Sequence, residues 1–212
     1  MTTSSQTADP FVVLYDVSWQ TYEGILDALG EYQLRHTYDR GTLEIVCPHK
    51  EHFWVKSLLN RMVSHLAYDC DIPIQSIGST TLTSEAVERG LQPDEAYYIA
   101  NEPLVRGKPQ YEPDRDPPPD LVVEVDVTNS SVRRLPTFAA MKVPEVWRYD
   151  GDRLHFLRLG DSGQYIEAST SAAFPFLTPQ DVARFLDERT KTDENSLIRS
   201  FLEWARQRAT KK

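Results

Sequence analysis

The apolar positions of the chain change period along its length, and each change marks an element. Behind Ser18, a good N-cap, Tyr22, Ile25, Leu26 and Leu29 recur at helical spacing, and Gly30 stands where a helix stops. A first helix is predicted over Trp19 to Leu29. Gln33 to Tyr38 and Thr42 to Cys47 read as strands around an Asp39-Arg40-Gly41 turn, with Leu43, Ile45 and Cys47 sharing one face and Glu44 the other. Phe53, Leu58, Leu59, Met62, Val63 and Leu66 form a broad stripe that predicts a core helix over Glu51 to Cys70. Short strands are expected at Ile72 to Gln75, Ser79 to Thr83 and Ala96 to Ile99.

Residues 101 to 119 have no period and carry prolines 103, 109, 113, 117, 118 and 119, so they read as a long loop, either a functional excursion or a solvated connection. Leu121 to Val127 is nearly continuous Val and Leu, the mark of a strand covered on both faces. A helix over Leu135 to Met141 and a strand over Glu145 to Tyr149 follow, and strand-helix-strand implies a right-handed parallel crossover. Arg153 to Leu159 and Tyr165 to Ala168 continue as a meander. Thr178-Pro179 opens a helix, and Asn195 to Arg208 forms the last one. The fold class is α/β (α+β): a central mixed sheet flanked by helices, with an N-terminal hairpin and C-terminal helices. A tail over 1–10, a domain over 11–190 and a C-terminal helix within 191–212, packing on the domain or on a partner subunit, complete the expected layout.

Composition narrows the function. With 40% hydrophobic and 26% charged residues in 212, the chain is no disordered polymer. No apolar run approaches the roughly 18 residues of a membrane span. Met1 to Asp9 lacks the basic start and apolar stretch of a secretory signal, so the cytoplasm is the default location. Cys47 and Cys70 form neither a disulfide framework nor a metal spacing. A net charge of -9 argues against a broad nucleic-acid-binding surface, though not against a local basic groove around an acidic site. No glycine-rich phosphate loop and no nucleophilic serine motif is present.

The chemistry concentrates in Asp120-Leu-Val-Val-Glu-Val-Asp126. Alternation puts Leu121, Val123 and Val125 on one face and Asp120, Val122, Glu124 and Asp126 on the other. Buried carboxylates about 7 Å apart repel and are costly unless a divalent cation or a set of arginines compensates. Asp120 and Glu124 lie about 13 Å apart and cannot readily share an ion, whereas Glu124 and Asp126 can. If the strand begun by Asp94 runs antiparallel beside this one, Asp94 faces Glu124 and Asp126. That pocket would be rich in oxygen, the preference of Mg²⁺ or Mn²⁺ rather than zinc. The plainer readings are a turn-forming Asp94, a Glu124 paired with Arg134 or Arg148, an Asp126 that caps the next helix, and an Asp120 that shapes a turn.

Asp94 in Leu-Gln-Pro-Asp-Glu-Ala-Tyr-Tyr-Ile, Pro-Pro-Pro-Asp120-Leu-Val-Val-Glu124-Val-Asp126 and Val143-Pro-Glu-Val-Trp-Arg-Tyr-Asp-Gly151 resemble the Uma-two-type restriction endonucleases, from about residue 15 to 177. That family is similar to the PD-(D/E)xK nuclease superfamily. The resemblance implies a restriction-endonuclease-like core and hydrolysis of DNA by a homodimer. It implies Mg²⁺ (or Mn²⁺) held by Asp94, Glu124 and the carbonyl of Val125, with the metal activating water and offsetting phosphate charge. The sequence departs from the superfamily at the lysine position, which is Asp126. The resemblance hands that role to Arg134, which can orient water or neutralise phosphate but cannot act as a general base. His52 matches a histidine common in the family, and either Glu44 or Glu51 matches the acid expected on the first core helix. The competing implication is an inactive nuclease-fold binding or interaction module.

Overall fold

In the computed structural model the described residues are 9–30, 34–126 and 134–209. The N-terminal strand β1 (Phe11–Leu14) leads to α1 (Trp19–Leu29), whose Ser18 cap accepts from the Thr21 N–H as its sequence suggested. The hairpin β2 (His36–Asp39) and β3 (Thr42–Val46) follows, then α2 (Lys50–Asp69). Next come β4 (Gln75–Gly78), β5 (Leu82–Ser84), β6 (Arg89–Leu91) and β7 (Glu95–Tyr98). One turn of helix, α3 (Glu102–Val105), interrupts the proline-rich stretch before β8 (Leu121–Val125), α4 (Arg134–Ala140) and β9 (Glu145–Tyr149). The meander β10 (Leu154–Leu159) and β11 (Tyr165–Glu167) precedes α5 (Pro179–Asp187) and α6 (Glu194–Ala209).

The fold is mixed α/β, as expected, but the strands form two sheets rather than one. A five-stranded antiparallel sheet runs β1-β3-β2-β6-β5, and a six-stranded mixed sheet runs β11-β10-β9-β8-β7-β4. β8 and β9 are parallel, as strand-helix-strand order requires, and β7 runs antiparallel to β8 with Glu95 opposite Val123. The expected strands at 72–75 and 79–83 shift toward the C-terminus. Pro73 cannot donate to a ladder, and the β4–β7 register breaks between Ser76 and Gly78, where Gly78 has φ +55°. Asp9 falls within the disordered tail expected over 1–10. Asp9 is buried, and its carboxylate accepts from the His49 N–H and meets the His49 ring at the start of α2. The strand ends expected at Gln33 and Val127 lie outside the described residues.

Three apolar layers hold these parts together. Leu121, Val123 and Val125 of β8 face α2, α5 and α6, where Leu58, Met62, Phe185 and Phe201 are buried. The opposite face presents Val122 with Ala96 and Val146, and these pack on Leu82 and Leu91 of the five-stranded sheet and on Phe138 of α4. The alternation read from β8 thus separates two cores. A third, smaller cluster sets Trp19 and Tyr22 of α1 on Tyr38 and Leu43. At the strand's entry, Asp120 Oδ2 accepts from the N–H groups of Ile99 and Asn101 at 2.7 and 2.8 Å, so this acid shapes a turn. The last helix, α6, lies on α2, with Arg206 paired to Asp69 and Arg61 to Glu194.

Candidate active site

The two sheets meet where β6 hands the chain to β7 through Gln92, Pro93 and Asp94, and at that seam the acids converge. The Asp94 carboxylate accepts from the Val125 N–H at 2.7 Å, and the Asp94 N–H donates to Glu124 Oε1 at 3.3 Å. Asp94 is 3% exposed and Glu124 0%. The antiparallel pairing of β7 with β8 places the start of one strand beside the end of the other, so the two acids sit on the same side of the sheet. Asp126 is buried beside them, its amide donating to Tyr149 O at 2.7 Å as the parallel ladder runs on past β8.

Two arginines bind the acids together. Arg134, at the first position of α4, places Nε and Nη2 on the two oxygens of Glu124 at 2.8 and 2.9 Å. Its remaining donors go to His36 O at 3.1 Å, Thr37 Oγ1 at 2.9 Å and Gln92 O. A guanidinium has five N–H groups, so Arg134 has none left for a phosphate or a water. It positions Glu124; it does not reach into a groove. Arg35, just before β2, was not singled out by the sequence. Its Nε donates to Asp94 Oδ1 at 3.1 Å, and its Nη2 lies 3.2 Å from Glu124 Oε2, 3.3 Å from Val125 O and 3.5 Å from both Asp94 Oδ2 and Asp126 Oδ1. Arg148, beside Glu124 in the parallel register, pairs with Asp126 Oδ2 at 3.1 Å.

The electrostatics follow from this packing. Burial works against the Arg35 charge, but Asp94, Glu124 and Asp126 outweigh it and hold the guanidinium more firmly protonated than a free arginine. Burial would also raise Asp94, yet Arg35, His52 and Arg134 bring it far below the ordinary carboxylate range. Glu124 moves the other way. Its burial and the Asp94 charge push it up, while Arg134 and Arg35 pull against them. His52, on α2 and 1% exposed, points Nε2 at Asp94 Oδ1 from 3.0 Å, but neither ring nitrogen has an aligned hydrogen-bond partner.

Among the expected site residues, Asp94, Glu124, Val125, Asp126, Arg134 and His52 therefore gather at one place. Among the described residues, neither candidate for a further acid forms a hydrogen bond or ion pair with them. Glu51 pairs with Arg189 at 3.0 Å, and Glu44 stands across the hairpin from Thr37. The signal that could have found Arg35 is the acid excess itself, because three buried carboxylates call for buried cations.

The Uma2 family model, described as "Putative restriction endonuclease", matches residues 19–187. The chain belongs to the Uma2 family. That match covers the six-stranded sheet, the five-stranded sheet except β1, and every member of the acid cluster. A crystal structure of a "putative nuclease belonging to DUF820" from Anabaena variabilis is similar at 14% identity and a TM-score of 0.47, over 69% of this chain and 88% of that one. No curated protein matches the chain. For a Uma2 protein the geometry asks what cation the acids hold. Among the described residues, no three His, Cys, Asp or Glu side chains form a metal cage by themselves. The oxygens of Asp94, Glu124 and Val125 nonetheless all lie within 3.5 Å of one point, the Arg35 Nη2 nitrogen. Two carboxylates and a carbonyl suit a hard divalent ion that keeps several waters, so the donor set fits Mg²⁺ or Mn²⁺ in kind.

Proposed function

We propose that this Uma2 chain is a Mg²⁺- or Mn²⁺-dependent endonuclease that hydrolyses DNA phosphodiester bonds, working as a homodimer with one strand cut per subunit. The observation that carries the reading is the convergence of Asp94, Glu124 and the Val125 carbonyl on one cation position at the seam. Those three groups would hold the ion. Once bound, it would supply an activated water and offset charge on the scissile phosphate. The protein's own part is to keep the two carboxylates rigid. Arg134 clamps both oxygens of Glu124, and the Val125 N–H fixes one oxygen of Asp94. The position of a superfamily lysine is filled by Asp126, which is paired with Arg148, so no side chain there can serve as a cationic water-orienting group.

The test is cleavage of supercoiled and linear DNA with Mg²⁺, Mn²⁺ or EDTA. Cleavage that needs the ion and disappears in Asp94→Asn and Glu124→Gln, with unchanged far-ultraviolet circular dichroism, supports the reading. Cleavage that survives both substitutions overturns it. A second reading, an inactive nuclease-fold interaction module, is favoured by one observation: the three acids already face three arginines. It predicts no cleavage with either metal and an unimpaired cellular role for Glu124→Gln.

A further inference from the structure

Among the described residues the charges of the seam balance before any metal arrives. Asp94, Glu124 and Asp126 carry three negative charges, and Arg35, Arg134 and Arg148 carry three positive ones. Adding a divalent ion to that set would leave an excess of positive charge in a buried pocket, where unbalanced charge is most expensive. Moving one arginine out as a metal enters would cut that excess from two charges to one, and an incoming phosphodiester would cancel the rest.

The contacts say which. Arg134 is held by five acceptors for five donors, with the forked pair to Glu124 at 2.8 and 2.9 Å. Arg35 Nη2 is held differently. Its two N–H groups are spread over four oxygens at 3.2 to 3.5 Å, an arrangement in which charge rather than directed hydrogen bonding does the holding. Those four oxygens include all three groups suited to a divalent ion. His52 adds a second buried group on the same carboxylate, its Nε2 3.0 Å from Asp94 Oδ1 without an aligned hydrogen bond. We propose that Arg35 is the resident cation of this site, that its Nη2 occupies the position of the divalent ion, and that metal binds only by exchange with it. The proposal rests on the metal reading above and deepens it: the free protein is a metal-excluding form, and loading requires the Arg35 side chain to leave the carboxylates. A departing guanidinium beside an incoming phosphodiester finds a second anion to pair with, so metal loading is coupled to the arrival of phosphate.

The experiment measures Mn²⁺ binding to the full chain by electron paramagnetic resonance, with melting temperatures recorded in EDTA and in Mn²⁺. In Arg35→Gln the carboxylates lose their resident cation, so Mn²⁺ should bind on the order of tenfold tighter or more than to the wild type. Mn²⁺ should also restore much of the melting temperature that this variant loses in EDTA. Equal Mn²⁺ affinity in wild type and Arg35→Gln overturns the exchange and leaves the metal reading standing. Absence of Mn²⁺ binding in both overturns the two together. Because Arg35→Gln could fail to fold, the wild type supplies a second measurement: the Arg35 Nε–Hε resonance, assigned by its loss in Arg35→Lys. Mg²⁺ that shifts this resonance and speeds its solvent exchange, more so with a short DNA duplex present, supports the exchange. A resonance unmoved at Mg²⁺ concentrations that saturate the site overturns it.

Discussion

The two sheets divide the labour of the seam by charge. The six-stranded sheet brings the anions: Asp94 leads into β7, and Glu124 and Asp126 end β8. The five-stranded sheet brings Arg35 and the acceptors on His36, Thr37 and Gln92 that complete Arg134. Without Arg35 the three buried carboxylates would face Arg134 and Arg148 alone, an imbalance that low-dielectric surroundings punish severely. Elsewhere the contact between the sheets is apolar, through Leu82, Leu91, Val122 and Ala96, and such a contact tolerates sliding. The ionic seam does not, because the Arg134 guanidinium demands particular oxygens on both sides of it. Apolar packing brings the sheets together, and the charges fix how they meet.

Removing one anion is the strongest way to break that arrangement. Glu124→Ala strips Arg134 of its forked partner and leaves its guanidinium buried at 3% exposure. Orphaning one member of a buried pair costs about 3–5 kcal/mol, so urea unfolding should register a loss of that size. A loss below about 1 kcal/mol, the range of exposed pairs, would mean that water already reaches the seam. Glu51→Ala, which breaks only the half-buried pair with Arg189, provides that lower reference.

Acid should loosen the five-stranded side first. His36 is buried, and its pKa is pushed down to about 4, by burial first and then by the Arg134 charge, against the pull of Leu34 O. Its neutral ring donates from Nδ1 to Leu34 O and accepts from the Tyr22 hydroxyl at Nε2, 2.9 Å away. The unfolded chain takes up this proton near pH 6.5 and the folded chain only near 4, so stability is complete above about 6.5 and falls as the pH drops toward 4. A shift of this size corresponds to roughly 3 kcal/mol. Tyr22, whose buried hydroxyl is held well above its ordinary range, keeps its proton throughout this window, and Asp94 protonates only below it. Unfolding curves between pH 7 and 4.5 should show the slope, and His36→Asn should flatten it. An unchanged slope in that variant would assign the acid sensitivity to another group.

The legibility of this molecule follows the range of its interactions. Helices α1 and α2 and the β8-α4-β9 unit could be read because their signals are local: a cap, a stripe, a run of Val and Leu. The division into two sheets could not. β6 is only Arg89-Gly90-Leu91, too short to show alternation, and β1 pairs with β3 across the whole of α1 and β2. The site splits in the same way. Asp94 and Glu124 were legible because one strand's alternation and one antiparallel neighbour bring them together. Arg35 was not, since it lies 59 residues from Asp94 and 89 from Glu124, and nothing around it in the sequence marks it as buried. Acids in the same motifs also turn out to hold loops. Asp120 ties down residues 99 and 101, and Glu145 accepts from the N–H groups of Ala172 and Ala173.

A smaller perturbation can show whether the five-stranded sheet is separable from its neighbour. A Cβ added at Gly90 would lie 2.1 Å from the Tyr22 hydroxyl oxygen and 2.7 Å from two of its ring carbons. Tyr22 has little room to yield, because it stacks on Tyr38 at 4.5 Å with its hydroxyl on His36. Gly90→Ala should therefore cost about 1–3 kcal/mol, the usual range for overpacking a core. The distribution of that cost is the informative part. Gly90 belongs to β6, which pairs with β2 and β5 but continues through Gln92 into the seam. If the ionic seam couples the sheets, hydrogen exchange in Gly90→Ala should quicken in α1, β2 and β6 and also at the buried end of β8. If the sheets are independent units, the quickening stops at β6 and the amide of Val125, held by Asp94, keeps its wild-type protection.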